Sequence, residues 1–431
     1  MDWLSAQKQP RRGSPDDRGR IVRFPASTPQ QSLSPKQGWL ARLGPGIVTG
    51  ASDLDPSAVV TATVAGAAFS FSLLWLAVLC VPFLLAVFDV TARVGVETRK
   101  GLLDLLRENY GRPLATVVAG LTIIIGMAVI IADLMAVSEG FSMLLNLPRQ
   151  YFVAPIAFSI WYILIFRDYR RITQALIWLS LPLYVYIPAA ILTKPDLSQL
   201  LWNTFIPHLT SGAHFVDGVV AIFGSLLTPY ILLWQISSRS DPGHEPHHGD
   251  AWAATLVSCV LFFSIMVSAA SVLHLDRPID MTTRQAAEAL RPAVGGFGFY
   301  IFALGIIGSG MVALPVLVAS MCYDVAQSLG WRYGLSEHPW EAKRFYVMIS
   351  GAMVVATVAN FTPVNPVKAL FWSMILAGIL TAPTLIFIWV VTNDRRIVRT
   401  TNTKWQNFWV GAAAGGSAAA TVAYIWQSVL H

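Results

Sequence analysis

Charge and cysteine are what this sequence has least of. Asp, Glu, Lys and Arg make up 13% of its 431 residues, against 55% hydrophobic ones. A soluble domain carries roughly twice that share of charge, so the composition excludes a water-soluble globule and, over most of the length, a disordered chain. Cysteine occurs three times, at Cys80, Cys259 and Cys322, with no C-x-x-C spacing. That indicates neither a disulfide frame nor a zinc site and makes small apolar packing the better reading. The opening 36 residues lack any apolar run. Pro10, Arg11, Arg12, Ser14, Pro15, Asp16 and Asp17 begin a polar, Pro/Ser-rich stretch without a short hydrophobic core or a small-residue cleavage site. Residues 1–40 therefore read as a disordered cytosolic tail, not a signal peptide. No protease or transferase constellation is present, so no catalytic residue or resident cofactor is assigned and an enzyme is rejected.

What the chain does have is long hydrophobic runs. Eleven are long enough to cross about 30 Å of hydrocarbon, at about 44–66, 69–95, 113–140, 150–167, 172–193, 216–238, 252–274, 297–323, 343–361, 366–393 and 406–428. The expectation is an all-α polytopic membrane protein, one transporter domain over 41–431, with the lipid bilayer as its surroundings. With the amino terminus inside, 24 of the 30 basic residues fall on the inner side, and Arg149, Lys194, Arg277, Arg284, Arg291 and Lys368 stay outside. This asymmetry predicts an inner (plasma) membrane protein with a cytoplasmic amino terminus and an outer carboxyl terminus. It also accounts for the net charge of +6 without nucleic acid.

Within the first run stands Asp55-Pro56-Ser57. A carboxylate at mid-membrane depth costs roughly 2.5 to 3.5 kcal/mol on insertion scales, so it faces a partner, a cavity or an ion. The proline beside it frees backbone carbonyls, which lipid tolerates only where an unwound turn is buried or lines a hydrated cavity. Thr228-Pro229-Tyr230 interrupts the sixth run in the same way. Each break opens a block of five runs, about 44–193 and 216–393, as expected of inverted repeats whose broken helices meet at the midplane. The run at 406–428 is an addition. Together the breaks predict a cation site.

Gly44-Pro45-Gly46, Thr49-Gly50-Ala51-Ser52-Asp53 and Asp55-Pro56-Ser57 resemble the first span of the Nramp divalent-metal transporters, where Asp-Pro-Gly-Asn is usual. Ile130 to Leu134, Gly224 to Gln235, Gly305 to Gly310 and Asn360 to Trp372 are similar to one branch, the prokaryotic Nramp-related magnesium transporters. The resemblance spans about 44–428 and implies a LeuT-like fold of two inverted five-helix repeats plus an eleventh helix. Relative to typical members, the first-span asparagine is matched by Ala58, and the sixth-span Met-Pro-His by Thr228-Pro229-Tyr230.

Sulfur favours soft metals, whereas carboxylate, carbonyl, hydroxyl and water suit Mg²⁺ and Mn²⁺. Mg²⁺ also keeps several waters when bound. The resemblance therefore implies a wide, wet site for Mg²⁺ or Mn²⁺, transported as substrate. Asp55 would supply charge, Thr228 a hydroxyl, Ala58 room for water, and the backbone near Ser52 and Ser225 its carbonyls. Members driven by protons resemble one another in histidines on the inner half of span six. Here those positions read Tyr230 and Trp234-Gln235, none titrating near neutrality, so transport is expected without proton coupling. Related sequences also carry acids after the Trp-Gln pair, from which Ser237-Ser238-Arg239 departs.

Other candidates keep two readings each. Asp133 either lines or supports the path, with protons as a further cargo, or is a salt-bridged structural acid. Glu139 lines the aqueous path or is simply solvated near the outer end of its span. Asp53 attracts cations or caps the unwound segment, and Ser57 belongs to the same break. Asn365 caps span ten or lines an outer vestibule. Asp89 and Arg93, spaced i, i+4, read as a structural pair. Asp241 to His248 is a flexible connector or an ion sensor. Gly411 to Ala420 is a packing face or a dimer face, and the oligomeric state is left open, a monomer being one plausible reading. The functional classes in view are a Mg²⁺/Mn²⁺ transporter, a proton-coupled Mn²⁺/Fe²⁺ or organic-solute carrier on the same fold, and a non-transporting membrane sensor.

Overall fold

Uncharged runs of Leu, Val, Ile, Ala and Phe wind into helices in hydrocarbon because a helix pairs its backbone N–H and C=O groups within one segment. The computed structural model describes residues 54–166, 180–207, 214–238, 248–273, 278–335 and 337–430, and among them no strand occurs. The helices are α1 (Pro56–Phe69), α2 (Leu74–Thr98), α3 (Leu102–Tyr110), α4 (Arg112–Leu145), α5 (Gln150–Phe166), α6 (Tyr186–Leu192), α7 (Leu197–Phe205), α8 (Phe215–Leu226) and α9 (Pro229–Ser238). They continue as α10 (His248–Val272), α11 (Gly298–Leu329), α12 (Lys343–Ala359), α13 (Pro366–Asn393) and α14 (Lys404–Leu430), with short helical turns between α10 and α11. Among the described residues, seven stretches are long and apolar enough to cross a membrane, and Pro56–Phe69, Gln150–Phe166 and Leu181–Leu192 are shorter apolar helices.

Each predicted run meets a helix. The first is described only from Leu54 and the fifth only from Ser180. The tail at 1–40, Ser52, Asp53 and the connector at 241–247 lie outside the described residues.

The sixth run is broken where expected: α8 ends at Leu226 and α9 begins at Pro229. The halves sit deep in the bundle because small residues let backbones touch. A Cβ on Gly224 would fall 2.0 Å from the Met374 carbonyl oxygen of α13, and one on Gly378 would fall 2.1 Å from the Val220 carbonyl oxygen of α8. α4 runs alongside α11, and α1 alongside α10. Phe262, Phe302, Phe345 and Phe371 fill the core between them with less than 2% exposure. The three cysteines are free and buried, in keeping with apolar packing.

One expectation about packing needs revision. Asp89 and Arg93 form no direct pair; Gln406 of α14 donates from Nε2 to Asp89 and accepts at Oε1 from Arg93 at 3.4 Å, while Arg93 also donates to Asn402. Two residues from the far end of the chain thus replace an i, i+4 contact that sequence spacing alone suggests. In α14, a Cβ on Gly411 would meet Trp389 and one on Gly416 would meet Phe223, whereas one on Gly415 would meet nothing within 4 Å. Only part of that small-residue face is used for packing.

Candidate functional site

Pro56 lacks an N–H and takes the first helical position, so the preceding residue becomes the cap. Asp55 is extended there (φ −69°, ψ 166°), and its Oδ1 accepts from the Ala58 amide at 2.6 Å. This places the carboxylate at the positive end of α1. Only 2% of the residue is exposed. Its Oδ2 accepts from the Tyr230 hydroxyl of α9 at 2.7 Å. The two breaks are thereby joined across the bundle by one carboxylate.

The second break supplies neutral oxygens. Pro229 cannot donate to the carbonyl four residues earlier, that of Ser225, and the Thr228 hydroxyl donates to it instead at 2.8 Å. The Thr228 oxygen keeps lone pairs for another donor or a cation. The Leu227 carbonyl accepts from Thr381 of α13 at 3.3 Å. Ser225 turns its own hydroxyl away, onto the Ala221 carbonyl at 2.8 Å. Of Ser225, therefore, the backbone oxygen faces the break and the side chain does not. Ala58 is buried and brings only its amide to Asp55.

In the first turn of α1, Ser57 donates to Oδ1 of Asp133 at 2.5 Å. Asp133 is fully buried on α4, and its Oδ2 has no partner. Among the described residues Asp133 forms no ion pair, so the salt-bridged reading of this acid has no counterpart in the geometry; a serine links it to the Asp55 turn instead. Behind this layer, Gly310 of α11 lets α1 and α4 close in. A Cβ there would fall 2.2 Å from Val137 and 3.0 Å from Pro56.

The remaining candidates spread outward. Glu139, partly buried on α4, lies within electrostatic reach of Arg149 and Arg284. Asn365 caps α13 through the Val367 amide at 2.9 Å and donates to the Met281 carbonyl at 3.2 Å, which favours a cap over a vestibule lining. Trp234 stacks edge-on against Tyr323 of α11 with centroids 5.6 Å apart, and Gln235 holds a buried, unpartnered Oε1.

Sequence reasoning misses two features. It makes Tyr230 an inner-path residue, yet the hydroxyl reaches Asp55; only the reach of a phenol across two breaks would reveal this. It passes over Asp324, 1% exposed on α11 with an unpartnered Oδ2, because that acid stands one residue past the predicted end of its apolar run. Among the described residues no three His, Cys, Asp or Glu side chains gather as a metal-holding group. The site can offer one carboxylate with hydroxyl and carbonyl oxygens, a hard donor set that suits a transient cation better than a resident soft metal.

Comparison with known proteins follows the same lines. The family model Nramp, described as natural resistance-associated macrophage protein-like, matches residues 46–427. "Divalent metal cation transporter MntH" of Yersinia pestis (strain Pestoides F) is 22% identical over 371 residues, covering 83% of this chain and 88% of that protein. "Metal transporter NRAT1" of Oryza sativa subsp. japonica is 26% identical over 300 residues, covering 63% and 54%. Among solved structures, the manganese transporter of Eremococcus coleocola, in complex with an aromatic bis-isothiourea substituted compound, superposes with a TM-score of 0.68 at 18% identity, covering 90% of this chain and 87% of that one. A histidine-to-alanine mutant of the same transporter gives 0.66 over the same shares. At such identity the likeness carries the fold: an all-α, LeuT-like arrangement of two inverted five-helix repeats with an eleventh helix.

Proposed function

Because the chain belongs to the Nramp family, we propose that it carries divalent metal cations across a membrane, with Mg²⁺ and Mn²⁺ as its substrates and without proton coupling. Its family is one of transporters, so it is a multi-pass membrane protein and not an enzyme. The names of its relatives, a divalent metal cation transporter and a manganese transporter, support the cargo class. The observation that carries the reading is the Asp55 carboxylate, buried at a helix break and facing a second break through Tyr230.

The metal site we assign comprises Asp55, the Thr228 hydroxyl, the Ser225 carbonyl, the backbone near Ser52 and the space beside Ala58. Every donor in it is oxygen, which favours Mg²⁺ and Mn²⁺ over softer ions. Asp133, Ser57, Tyr230, Trp234 and Gln235 would support it or line the inner path, with Asp53 and Glu139 toward its other parts and Asn365 supporting it as the cap of α13. The basic-residue asymmetry supports an amino terminus in the cytoplasm and a carboxyl terminus outside an inner membrane. We divide the chain into a tail at 1–40 and a transporter domain at 41–431, with repeats of about 44–193 and 216–393 and an extra helix of about 406–428.

In this mechanism a partly hydrated cation displaces the Tyr230 hydroxyl from Asp55 and exchanges some of its waters for the Thr228 and Ser225 oxygens. Rocking of one repeat against the other then opens the site to the opposite side. The test is a proteoliposome flux panel of Mg²⁺, Mn²⁺, Fe²⁺ and Ca²⁺ with a pH dye inside. Mg²⁺ and Mn²⁺ uptake without acidification is the expected result. Absence of flux for all four ions would leave a non-transporting sensor, and Mn²⁺ or Fe²⁺ uptake with acidification would restore proton coupling.

A further inference from the structure

Asp324 is a buried carboxylate that the proposed site does not use. Its Oδ2 has no hydrogen-bond partner and, among the described residues, no cation pairs with it. An intramembrane acid kept without a partner is costly and faces a path or a cargo.

Its direction follows from contacts along α11. Ser320 donates to the Tyr230 carbonyl at 3.0 Å, and seven residues later Gln327 donates from Nε2 to the Ser237 hydroxyl at 2.9 Å. Residues 230 and 237 are likewise seven apart, so α11 and α9 run parallel with their rungs in register. Asp324 stands one turn past Ser320, about 6 Å further along the axis. At 100° per residue it is rotated only about 40° from the Ser320 direction. Met321 and Gly310, rotated about 80 to 100° to that same side, meet Gly126 and Val137 of α4. Asp324 therefore points into the seam between α9 and α4, one turn inward from the helix end whose Tyr230 reaches Asp55.

The seam is capped on the side where basic residues predominate. Gln327 packs its amide against Gly101, where a Cβ would fall 2.0 Å from Oε1, and Arg107 donates to the Gln327 carbonyl. Arg107 itself lies 3.0 Å from Asp104, which accepts from Tyr333 at 2.5 Å. The Arg107 charge is thus matched by Asp104, and Gln327 stands between Asp324 and the inner surface. Buried oxygens without partners recur in this region, at Gln235 Oε1, Gln327 Oε1 and Ser328 Oγ.

We propose that Asp324 is a second carboxylate station on the cation's route, which takes the hydrated divalent ion as it leaves Asp55 and holds it until the Gln327 layer opens. This rests on the transport function proposed above. A cation between the two acids is never far from a formal negative charge, which lowers the barrier along the inner leg. Amide oxygens of Gln235 and Gln327 are hard neutral donors suited to the same ion.

The full chain is tested by Mn²⁺ uptake into liposomes and by Mn²⁺ binding calorimetry in detergent, for the wild type, Asp324→Asn, Asp324→Glu, Asp55→Ala and the double variant Asp55→Ala/Asp324→Asn. Asn keeps the shape and removes the charge, so uptake should fall at least about tenfold, a change of about 1.4 kcal/mol, while binding at Asp55 persists. Glu should restore most of the flux. Asp55→Ala should lose transport yet retain a weak Mn²⁺ site that vanishes in the double variant. Wild-type flux in Asp324→Asn would overturn the proposal. So would equal loss in Asn and Glu variants, which marks a packing role, or loss of metal-driven acidification alone, which marks a proton site. A wild type that carries no divalent ion fails differently: it removes the transport function and the station with it.

Discussion

The Tyr230 hydroxyl donates to Oδ2 of Asp55 over 2.7 Å, and the Ala58 amide holds the other oxygen. A cation that reaches this carboxylate competes with a phenol already in place. Tyr230→Phe leaves a buried carboxylate oxygen unpaired in the metal-free protein, a penalty of roughly 1 to 3 kcal/mol that binding of a cation would relieve. Mn²⁺ should accordingly bind about 5- to 150-fold more tightly. Calorimetry decides it, and weaker binding would make the phenol oxygen a ligand.

Asp55 itself is expected to be indispensable, because it is the acid at the junction of the two breaks and supplies the charge that offsets dehydration of the ion. Asp55→Ala should cut Mn²⁺ uptake by at least about tenfold, with an unchanged elution profile and melting temperature. Undiminished uptake would remove the site from this position.

Selectivity should follow the Thr228 oxygen. With a hydroxyl at the break, millimolar Mg²⁺ is expected to compete with Mn²⁺ for entry. Thr228→Met removes the donor to the Ser225 carbonyl and brings sulfur to the site, so preference should move toward softer ions such as Cd²⁺. Mn²⁺ uptake indifferent to Mg²⁺ in the wild type would contradict the hard-donor reading.

Gly224 and Gly378 make a stability prediction. Each brings a backbone against the carbonyl of the other helix at a point where a Cβ would lie about 2 Å from oxygen. Backbone cannot step aside as a flexible side chain does, so Gly224→Ala or Gly378→Ala should cost about 1 to 3 kcal/mol or more. A lowered melting temperature in detergent is the readout, and Gly415→Ala, which meets open space, is the control.

Much of this was legible because hydrocarbon imposes one rule on backbone and another on charge. Long apolar runs had to be helices, and an aspartate before a proline had to mark a break. Register across the bundle was not legible. Asp89 and Arg93 share a helix face, yet Gln406, more than three hundred residues on, comes between them. Tyr230 looks in sequence like the replacement of a titrating residue, whereas its reach to Asp55 depends on how two broken helices are set against each other. Asp324 is lost at a hydropathy boundary because the charge ends the apolar run that α11 in fact continues to Leu329.

Proton coupling is where the site makes its sharpest claim. A proton driven with the metal needs a relay of titratable groups from the site to the inner side; α9 offers Tyr230, Trp234 and Gln235, none of which ionises near neutral pH, and Asp324 of α11 is the carboxylate proposed above to hold the cation itself. Asp133 is tied by Ser57 to the Asp55 turn, on a helix, α4, that packs along α11. The ion should then move down its own electrochemical gradient. An inside-negative potential contributes about 2.3 kcal/mol per charge per 100 mV, doubled for a divalent ion. Imposing that potential on liposomes in Mn²⁺-containing medium should speed uptake while an internal pH dye stays flat, and Asp133→Asn should leave the dye flat as well. Acidification that tracks Mn²⁺ entry and disappears in Asp133→Asn would instead route a proton through α4.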